Sequence, residues 1–546
     1  MEIMSCIYLA FAINAPILSF LFMIMARNIY EKHWWDTKRY LHIGVPPTEK
    51  QKKKWICEAV QNKQFVSSHS FMPLIQRIIT TSRYRKKYIE GYETRKSRLP
   101  VKEREICYAC HLDAIIYKYY AEFIQDKYEN ILKTNNLLDD CIVAYRKVPI
   151  DKSRPDLDKN KCNIEFARDA FQFIKQSEEN ELFVGVYDIS NFFNSLDHNL
   201  LKKAWINVCD FKDTLPNHHY TVFKNATMYS YVKEEELFNL FKDRIICNKN
   251  KSSSERISRR IKKINYLYSN KKHAIAFCER KDLKEIKNKR LIYDNRFEIV
   301  DEIKSKRKKG IPQGLPISAV LANIYMLDFD QKIVEYLSSI GGLYRRYSDD
   351  IIIVCNKEYK DIVRELLKNS IERLRLNIQE EKEKEYLLQK NNEGHFVCRG
   401  LKYPFKNKIE YLGFEFDGQR ILLKSASIAG FYSRMNRAIK RSKFYSESIN
   451  NKSKGHIFRN QLFKRFTSYG AKRKKVYKQM RDSSGKIQNY YIGRKTWGNY
   501  ISYVNRASAT MEEPAIKRQL KRHLPILRRK LNQNISSSPT LSTLND

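Results

Sequence analysis

Residues 344–354 read Tyr344-Arg345-Arg346-Tyr347-Ser348-Asp349-Asp350-Ile351-Ile352-Ile353-Val354. Aromatic and basic residues precede a short polar turn and a β-branched run follows it, which predicts a hairpin of two strands with Asp349 and Asp350 at its tip. Adjacent carboxylates crowded against a core repel each other and lose solvation, so they call for a cation. A hard divalent ion such as Mg²⁺, which prefers oxygen ligands, meets that need. A solvated Asp-Asp corner is the alternative, and the rest of the chain has to decide between the two.

A third carboxylate follows an apolar strand earlier in the chain. Residues 182–187 are apolar or aromatic and lead to Asp188, and a helix is expected to open near Asp197, whose charge suits the positive end of a helix. Three acidic side chains on two strands can hold two Mg²⁺ ions at the spacing that clamps the attacking and leaving oxygens of a phosphoryl transfer. Asp188, Asp349 and Asp350 are therefore candidate metal ligands and catalytic residues.

The segment Gly310–Ser318 combines glycines and prolines in a loop that leads into an apolar-periodic helix over residues 319–337. Such a loop lets its backbone approach a ligand closely, and Ser318 is expected to cap the helix. Gln313 and Gly314 lie in its middle. An ordinary loop would look similar, but a place between two acidic strands favours a contact to a base pair or a sugar.

Composition narrows the class of partner. The chain has 546 residues, of which 42% are hydrophobic, so it can form two or more domains with sizeable cores and is not a disordered protein. Its 103 Lys and Arg outnumber 61 Asp and Glu, giving a formal net charge of +42. A surplus of this size favours nucleic acid as partner over an anionic membrane or a merely basic surface.

Cysteine usage indicates a reducing, cytoplasmic compartment. The 11 Cys are scattered and mostly lie in apolar segments, which is typical of reduced, buried thiols. The spelling Cys107-Tyr108-Ala109-Cys110-His111 matches a haem attachment site. Since neither an export signal nor a second Cys pair accompanies it, buried cysteines on a helix face are expected instead.

The N-terminal segment Ile3–Met25 is almost continuously apolar. Its length fits a membrane helix, but Asn14 and Pro16 near its centre count against one. The alternatives are a buried or oligomerising helix, or translation from Met23 or Met25. Membrane association is the less favoured of these, and a body in the cytoplasm is expected in each case.

Elsewhere the patterns are simpler. Helices are expected over residues 28–138 and, in a strongly basic region, over 425–532. A short strand is expected at Ile142–Lys147, where Arg146 and Lys147 could neutralise a triphosphate or remain solvated. Residues 247–290 are dense in Lys, Arg, Ser and Asn, which indicates a solvated basic insertion. Residues 409–418 predict a further hairpin, and the tail from Ser536 is expected to be disordered.

From about Ile142 to Phe416 these motifs resemble, in order, those of the reverse transcriptase family. Asp188 with Phe192-Phe193 is similar to the first metal-binding motif, and Tyr347-Ser348-Asp349-Asp350 to the catalytic hairpin. The remaining matches are Gln313-Gly314-Leu315-Pro316-Ile317-Ser318, Leu321-Ala322-Asn323-Ile324-Tyr325, Lys382, and Tyr411-Leu412-Gly413-Phe414, the last resembling the primer grip.

The resemblance implies an α+β right-hand polymerase with fingers, an antiparallel palm sheet and a basic helical thumb. Asp188, Asp349 and Asp350, with the backbone carbonyl of Ile189, would hold two Mg²⁺ ions, for which Mn²⁺ could substitute. Nucleotide contacts would come from Phe193, the sugar gate that favours dNTPs, and from Gln313, Gly314, Arg146, Lys147 and Lys382. The implied partners are dNTPs, an RNA template or noncoding RNA, and the DNA product, with a homo-oligomer possible.

Within the family, Ala144–Lys147, Asn163–Ala167 and Trp497–Tyr500 resemble bacterial defence-associated enzymes of the unknown-group and abortive-infection branches. That branch implies antiphage DNA synthesis beside a noncoding RNA. A mobile-element or intron enzyme is the nearest rival, disfavoured because no endonuclease module follows. A catalytically silent RNA-binding scaffold is the alternative of another class.

The expected domain order begins with an apolar segment at 1–27 and a helical extension at 28–140. A fingers and palm domain follows at 141–423, with its insertion at 247–290. A helical thumb at 424–535 and a tail at 536–546 complete the chain.

Overall fold

The computed structural model describes residues 34–35, 40–81, 84–89, 92–98, 102–151, 153, 160–250, 254–268, 273–300, 303–380, 383–402, 407–447, 457–471, 475–481, 487–494 and 498–533. The apolar segment Ile3–Met25, Lys382 and the tail from Ser536 lie outside these ranges. Within them, no helix combines the length and the apolar character that crossing a membrane requires.

The helices, numbered in chain order from α1 to α19, are Glu49–Gln51, Cys57–Gln61, Lys63–Ser68, His111–Thr134, Asn136–Cys141, Asn163–Gln176, Phe192–Ser195, His198–Val208, Asn217–Thr227, Glu234–Phe241, Leu283–Asn288, Ser318–Tyr325, Leu327–Ser339, Lys360–Arg373, Ser425–Glu447, Arg459–Phe466, Tyr500–Thr510, Pro514–Arg518 and His523–Asn532.

The strands, numbered from β1 to β21, are Leu74–Thr81, Tyr84–Ile89, Tyr92–Arg98, Lys102–Tyr108, Glu181–Asp188, Ser230–Lys233, Ile245–Asn248, Arg256–Arg259, Ala274–Ala276, Tyr293–Asp294, Phe297–Val300, Ile303–Lys306, Leu343–Tyr347, Asp350–Asn356, Lys384–Lys390, Phe396–Gly400, Ile409–Tyr411, Phe414–Phe416, Ile421–Leu423, Lys475–Arg481 and Ile487–Arg494.

The chain divides into two compact units. The first unit comprises Met1–Asn135, Asn191–Asp328 and Leu374–Leu376, and the second comprises Asn136–Ser190, Phe329–Arg373 and Asn377–Asp546. The expected domain limits differ from these divisions and stay a prediction.

The second unit is built on a five-stranded sheet in the order β13-β14-β5-β15-β16, with every neighbouring pair antiparallel. Strands β5 and β14 are central and buried on both faces, which is why their sequences are nearly continuous apolar runs. Side chains from α6, this sheet, the β17-β18-β19 sheet and helices α15 to α19 share one hydrophobic core. That core fixes the two strand ends that carry the carboxylates.

The first unit contains a four-stranded sheet in the order β10-β6-β1-β4 and a three-stranded sheet in the order β8-β7-β9. Strand β1 runs antiparallel to β4 and parallel to β6. A separate hydrophobic core joins the described start of the chain with α10 and residues 245–286.

The expectation that residues 28–138 are helical throughout is corrected by β1 to β4. Only 111–134 among them forms a long helix. The β-branched run from Ile78 to Thr81 favours a strand, and it pairs with β4. Cys107 and Cys110 are buried as expected, but they lie in β4 and just before α4 rather than on a helix face.

Two basic regions also differ from expectation. Residues 247–290 contribute β8, β9 and α11, and Ile261 and Phe277 are fully buried in the first unit's core, so this region is not simply a solvated insertion. The expected helical stretch 425–532 is interrupted by the hairpin β20–β21. In both cases a few apolar residues specify regular structure, and the many cations around them make that pattern difficult to recognise in the sequence.

Two local expectations fail at single residues. The expected strand at Ile142–Lys147 is reduced to one bridge from Ile142 to Arg346, because Tyr145 adopts a φ of 62° and turns the chain. Ser318 is the first residue of α12 rather than its cap, and its hydroxyl donates to the carbonyl oxygen of Pro312 at 2.7 Å.

Candidate active site

Asp188 and Asp350 lie directly opposite each other on the two central strands of the second unit. Strand β5 ends at Asp188, β14 begins at Asp350, and the antiparallel register pairs these two residues. Opposed residues of an antiparallel pair project from the same face of the sheet. Both side chains are half-buried. The fold therefore brings two carboxylates from residues 162 positions apart in sequence onto one face.

Asp349 lies in the turn that joins the two hairpin strands, as predicted. Tyr347 pairs with Asp350, which leaves Ser348 and Asp349 as a two-residue loop. The Ile189 amide donates to the Asp349 carbonyl at 3.1 Å, so the backbone that follows Asp188 is joined to the turn. The backbone of Asp349 is thus held next to the end of β5.

The turn requires support because Ser348 has a φ of 63°, in the left-handed region. That conformation costs a non-glycine residue about 1–2 kcal/mol. Two side chains hold it: Arg346 donates from Nη1 to the Ser348 carbonyl at 3.2 Å, and the Tyr145 hydroxyl lies 3.0 Å from the Ser348 hydroxyl.

Arg346 is itself fixed by a fully buried ion pair. Its Nε and Nη2 donate to the two carboxylate oxygens of Asp330 at 2.7 and 2.6 Å, and both side chains are 0% exposed. The Tyr344 hydroxyl donates to the same carboxylate at 2.6 Å. Burial raises the pKa of Asp330, and the charge of Arg346 opposes that rise.

The residues that resemble the primer grip form the hairpin β17–β18, with Leu412 and Gly413 in its turn. Leu412 and the ring of Tyr347 pack against the same small cluster, formed by Val143, Val148 and Phe166. The Leu412 carbonyl accepts a hydrogen bond from Asn163 at 3.1 Å. This hairpin therefore lies beside the turn of Ser348 and Asp349.

Tyr411 links the hairpin electrostatically to the carboxylates. Its hydroxyl is buried and, within the described ranges, has no hydrogen-bond partner. Burial raises the pKa of Tyr411 strongly, and the negative charge of Asp350 adds to that rise. Asp350 also raises the pKa of Tyr347, after the larger effect of burial.

Arg146 and Lys147 lie in different surroundings. The Arg146 guanidinium is 3% exposed and pairs with Asp139 at 2.6 Å, and it also donates to the Asp139 and Ile142 carbonyls. Lys147 is exposed. The structure therefore gives Arg146 a structural ion pair, and its predicted nucleotide contact, like that of Lys147, stays a prediction. Lys382 lies outside the described residues.

Phe193, Gln313 and Gly314 belong to the first unit. The Phe193 carbonyl accepts from the Ile311 amide at 2.8 Å, which places the two segments side by side. The Gln313 carbonyl accepts from the Cys107 amide at 2.8 Å, while its side chain is exposed. Gly314 has a φ of 119°, and a Cβ there would lie 2.6 Å from the Cys107 carbonyl oxygen, so only glycine fits.

The donor set of the second unit suits a hard cation. The side chains of Asp188, Asp349 and Asp350 offer carboxylate oxygens as ligands. Ile189, the residue after Asp188, offers its backbone carbonyl oxygen. Mg²⁺ is usually held by one or two carboxylates together with substrate phosphates. Among the residues that the structure describes, no group of three or more His, Cys, Asp or Glu side chains is arranged to hold a metal.

A family model described as "Reverse transcriptase (RNA-dependent DNA polymerase)" matches residues 267–416. Residues 267–416 are therefore similar to a reverse transcriptase domain. The matched range includes Gln313, Asp349, Asp350 and the hairpin at Tyr411. Asp188 lies before the matched range in sequence, but the sheet register pairs it with Asp350. The helices and antiparallel sheets confirm the predicted α+β fold class, and the match agrees with the predicted reverse transcriptase domain and enzyme class.

No curated protein sequence matches the chain. Among solved structures, apo telomerase from Candida tropicalis truncated from its C-terminal domain is similar at 12% identity and a TM-score of 0.34, over 69% of this chain and 59% of that one. Telomerase from Candida albicans in complex with a TWJ fragment of telomeric RNA gives 14% identity and a TM-score of 0.32, over 73% of this chain and 53% of that one. This chain thus spans little more than half of either structure.

Sequence reasoning missed Asp330, Tyr344, Arg346 and Tyr145, which support the turn of Ser348 and Asp349. It also missed Asn163, which supports the turn at Leu412. One signal was present. Successive strand residues point to opposite faces, so of Arg345 and Arg346 one had to face the core and required a buried partner.

Proposed function

We propose that this reverse transcriptase extends a primer with dNTPs on an RNA template. The observation that supports the proposal best is the register of β5 with β14, which pairs Asp188 with Asp350 and puts Asp349 in the adjoining turn. Two strands from distant parts of the chain would not need to pair Asp188 with Asp350 for stability, because like charges directly opposite each other repel.

In the proposed reaction the primer 3′-hydroxyl oxygen attacks the α-phosphorus of a dNTP. A new P–O bond forms, the O–H bond of the hydroxyl breaks and its proton passes to solvent water, while the bond from the α-phosphorus to the bridging oxygen breaks and pyrophosphate leaves. Asp188, Asp349 and the Ile189 carbonyl would hold Mg²⁺, with Asp350 in support; the bound metal would neutralise charge on the attacking and leaving oxygens. The buried Arg346 fork keeps the turn of Asp349 in place, so little reorganisation accompanies the reaction.

Other residues would select and orient the substrates. The ring of Phe193 would exclude a ribose 2′-hydroxyl, and Gln313 and Gly314 would contact the template or incoming nucleotide. Lys382 would contact the nucleotide, and the turn at Leu412 and Gly413 would hold the primer end. The contact from Asn163 to the Leu412 carbonyl supports this last role because it fixes the turn beside the carboxylates.

Incorporation of labelled dNTPs with Mg²⁺ on an RNA template tests the polymerase proposal. Asp188→Ala and Asp349→Ala are each expected to lower the rate by about 1,000-fold or more, a loss typical when charge stabilisation is removed, and Asp350→Ala by less. Thermal melting checks that each variant folds. Equal incorporation by wild type and an Asp349→Ala/Asp350→Ala variant would favour the non-catalytic scaffold instead.

We also propose that the DNA synthesis serves antiphage defence beside a noncoding RNA. The support is the resemblance of Ala144–Lys147 and Asn163–Ala167 to defence-associated enzymes. Phage plating on cells with wild type or the Asp349→Ala/Asp350→Ala variant tests this: protection that needs the carboxylates is expected. Sequencing of copurified nucleic acid would identify template and product. A product that copies an intron or mobile element, with no protection, would favour the rival assignment.

A further inference from the structure

A cavity of about 450 Å³ lies among helices α15, α16 and α17 of the second unit. The charged residues that line it are all positive: they are Arg434, Lys464 and Arg465, and none of the lining residues is acidic. Within the described ranges, none of these three cations forms a salt bridge with a carboxylate. Three unneutralised cations around one cavity favour an anionic occupant.

The cavity also has an apolar wall and an unused donor. Phe431 and Tyr500 stack at 5.2 Å between ring centroids and line one side. The Tyr500 hydroxyl is buried and has no hydrogen-bond partner among the described residues. A buried hydroxyl without a partner is costly, so a ligand that accepts its hydrogen bond would relieve that cost.

The wall at the start of α17 is rigidly built. Asn499 donates to the carbonyls of Lys464 and Thr467 at 3.0 and 2.7 Å, which joins this wall to α16. Gly498 has a φ of 82°, and a Cβ there would lie 2.1 Å from the Ser502 hydroxyl. These contacts fix the wall of the cavity that Gly498 and Asn499 form.

We propose that this cavity binds a single phosphate-bearing nucleotide, at a site separate from the carboxylates. The cations would contact the phosphate, the Tyr500 hydroxyl would donate to a phosphate or sugar oxygen, and the aromatic wall would contact the nucleoside. A cavity of this volume is in the range of small-ligand sites and admits one nucleotide rather than a duplex. The nucleotide is either free or the 5′ end of a strand.

Photocrosslinking in EDTA tests this site, because chelation suppresses metal-dependent binding at the carboxylates. The probe is a trinucleotide with a 5′-phosphate and 8-azidoadenine at its first position, compared with the same probe without the phosphate. Wild type is expected to crosslink the phosphorylated probe within residues 457–471 or 498–510. Free AMP that displaces the probe identifies a free-nucleotide site, and failure of AMP to compete identifies a strand end; both support the proposal.

Three variants sharpen the test. Arg434→Ala/Lys464→Ala/Arg465→Ala should lower the crosslinking yield by about tenfold or more, as loss of charged hydrogen bonds to phosphate implies. Lys332→Ala/Lys368→Ala/Arg373→Ala removes the same charge from exposed positions on α13 and α14, outside the cavity, and should leave the yield unchanged. Tyr500→Phe removes only the hydroxyl and should weaken crosslinking by about fivefold without affecting folding.

The proposal is overturned if the unphosphorylated probe crosslinks equally well, if the crosslinks map elsewhere, or if the two triple variants behave alike. Matched thermal melting of the two triple variants shows that a difference between them is not a folding defect. None of these outcomes depends on polymerase activity, so the site can fail while the carboxylate assignment stands.

Discussion

At the scale of single residues, the turn of Ser348 and Asp349 depends on a buried ion pair. Arg346 spans from Asp330 to the Ser348 carbonyl, and all of its polar contacts lie in a fully buried environment. A buried charge pair contributes little net stability compared with apolar residues of similar size, but breaking it is costly. We therefore expect this pair to be retained for the position of the turn rather than for stability.

That expectation separates stability from activity. Arg346→Met alone should cost about 3–5 kcal/mol of unfolding free energy, because Asp330 is left buried and unpaired. Asp330→Leu/Tyr344→Phe/Arg346→Met removes the whole network and should regain most of that stability. Its dNTP incorporation should stay low, because no side chain then holds the Ser348 carbonyl.

Urea unfolding and single-nucleotide incorporation, measured on the same preparations, check both parts. If the triple variant regains stability and activity together, the ion pair has no positioning role. If it regains neither, the network is required for folding itself.

The carboxylates could be predicted from sequence while this support could not, for a physical reason. Asp188, Asp349 and Asp350 each follow or precede an apolar run, so their place at a strand end is a local property of the chain. The partner of Arg346 is Asp330, on a different element, and strand periodicity does not say which of two successive arginines faces the core. Tertiary packing decides that choice.

At the scale of elements, the hairpin β17–β18 makes its turn with two residues of positive φ, 43° at Leu412 and 91° at Gly413. Positive φ at both central positions is the type I′ arrangement that matches strand twist. A Cβ at Gly413 would meet nothing within 4 Å, so substitution there costs backbone strain but causes no clash. Gly394, in the turn of β15–β16, has a φ of 77° and equally open surroundings.

Gly413→Ala and Gly394→Ala form a matched pair. Each should lose about 1–2 kcal/mol of stability, because alanine disfavours the left-handed region. Only Gly413→Ala should raise the KM for template–primer, since its turn is the proposed primer contact. Chemical denaturation and primer-extension kinetics measure the two effects, and equal KM values for both variants would contradict the primer-grip role.

A triad of partly exposed, ion-paired side chains joins the same hairpin to its neighbours. Glu410 accepts from Lys384 at 2.6 Å and from Lys424 at 2.7 Å. Burial acts to raise the pKa of Glu410, but the two lysines outweigh it and lower the pKa to about 2. Because the folded pKa is depressed, the stabilisation is present above the ordinary value of 4.5 and is lost as pH falls toward 2.

Glu410→Gln should therefore destabilise the protein at pH 7 by at most about 3 kcal/mol, and the difference from wild type should shrink between pH 5 and about pH 3. Glu393→Gln, which changes an exposed carboxylate in the turn of β15–β16, is the control and should be neutral at every pH. Urea unfolding across this range provides the measurement. A pH-independent deficit for Glu410→Gln would indicate lost packing rather than lost charge.

Most of the elements that sequence reasoning missed share one property. Strands β2, β3 and β4 and the hairpin β20–β21 contain more Lys, Arg and Tyr than aliphatic residues, so neither helical nor strand periodicity is distinct. Strand β1 is the exception, because its β-branched run is a local strand signal. Strands β5 and β14 and the turn of β17–β18 were predicted because buried strands read as unbroken apolar runs. Where strand pairing rather than the local sequence pattern decides the secondary structure, the sequence alone does not predict it.

At the scale of the whole molecule, the charge balance predicts a nucleic-acid partner, in agreement with the match to a reverse transcriptase domain. The net charge of +42 is spread over a chain whose described second unit carries exposed arginines and lysines along α15 and α19. Cations that neutralise phosphates release counterions, so affinity depends steeply on salt concentration. A template–primer duplex is thus expected to bind far more tightly at low salt than at physiological salt.

The salt dependence of template–primer binding can be predicted quantitatively. With about 6–10 phosphate contacts, the association constant for template–primer should fall by about 1,000-fold to 100,000-fold between 50 and 200 mM KCl. Fluorescence anisotropy across that range measures the slope of log K against log salt, with thermal melting at each concentration as the control for folding. A slope shallower than about −2 would correspond to only two or three phosphates. The basic surface would then serve solubility rather than nucleic-acid binding, and binding would depend on contacts made at the carboxylates and the hairpin turn.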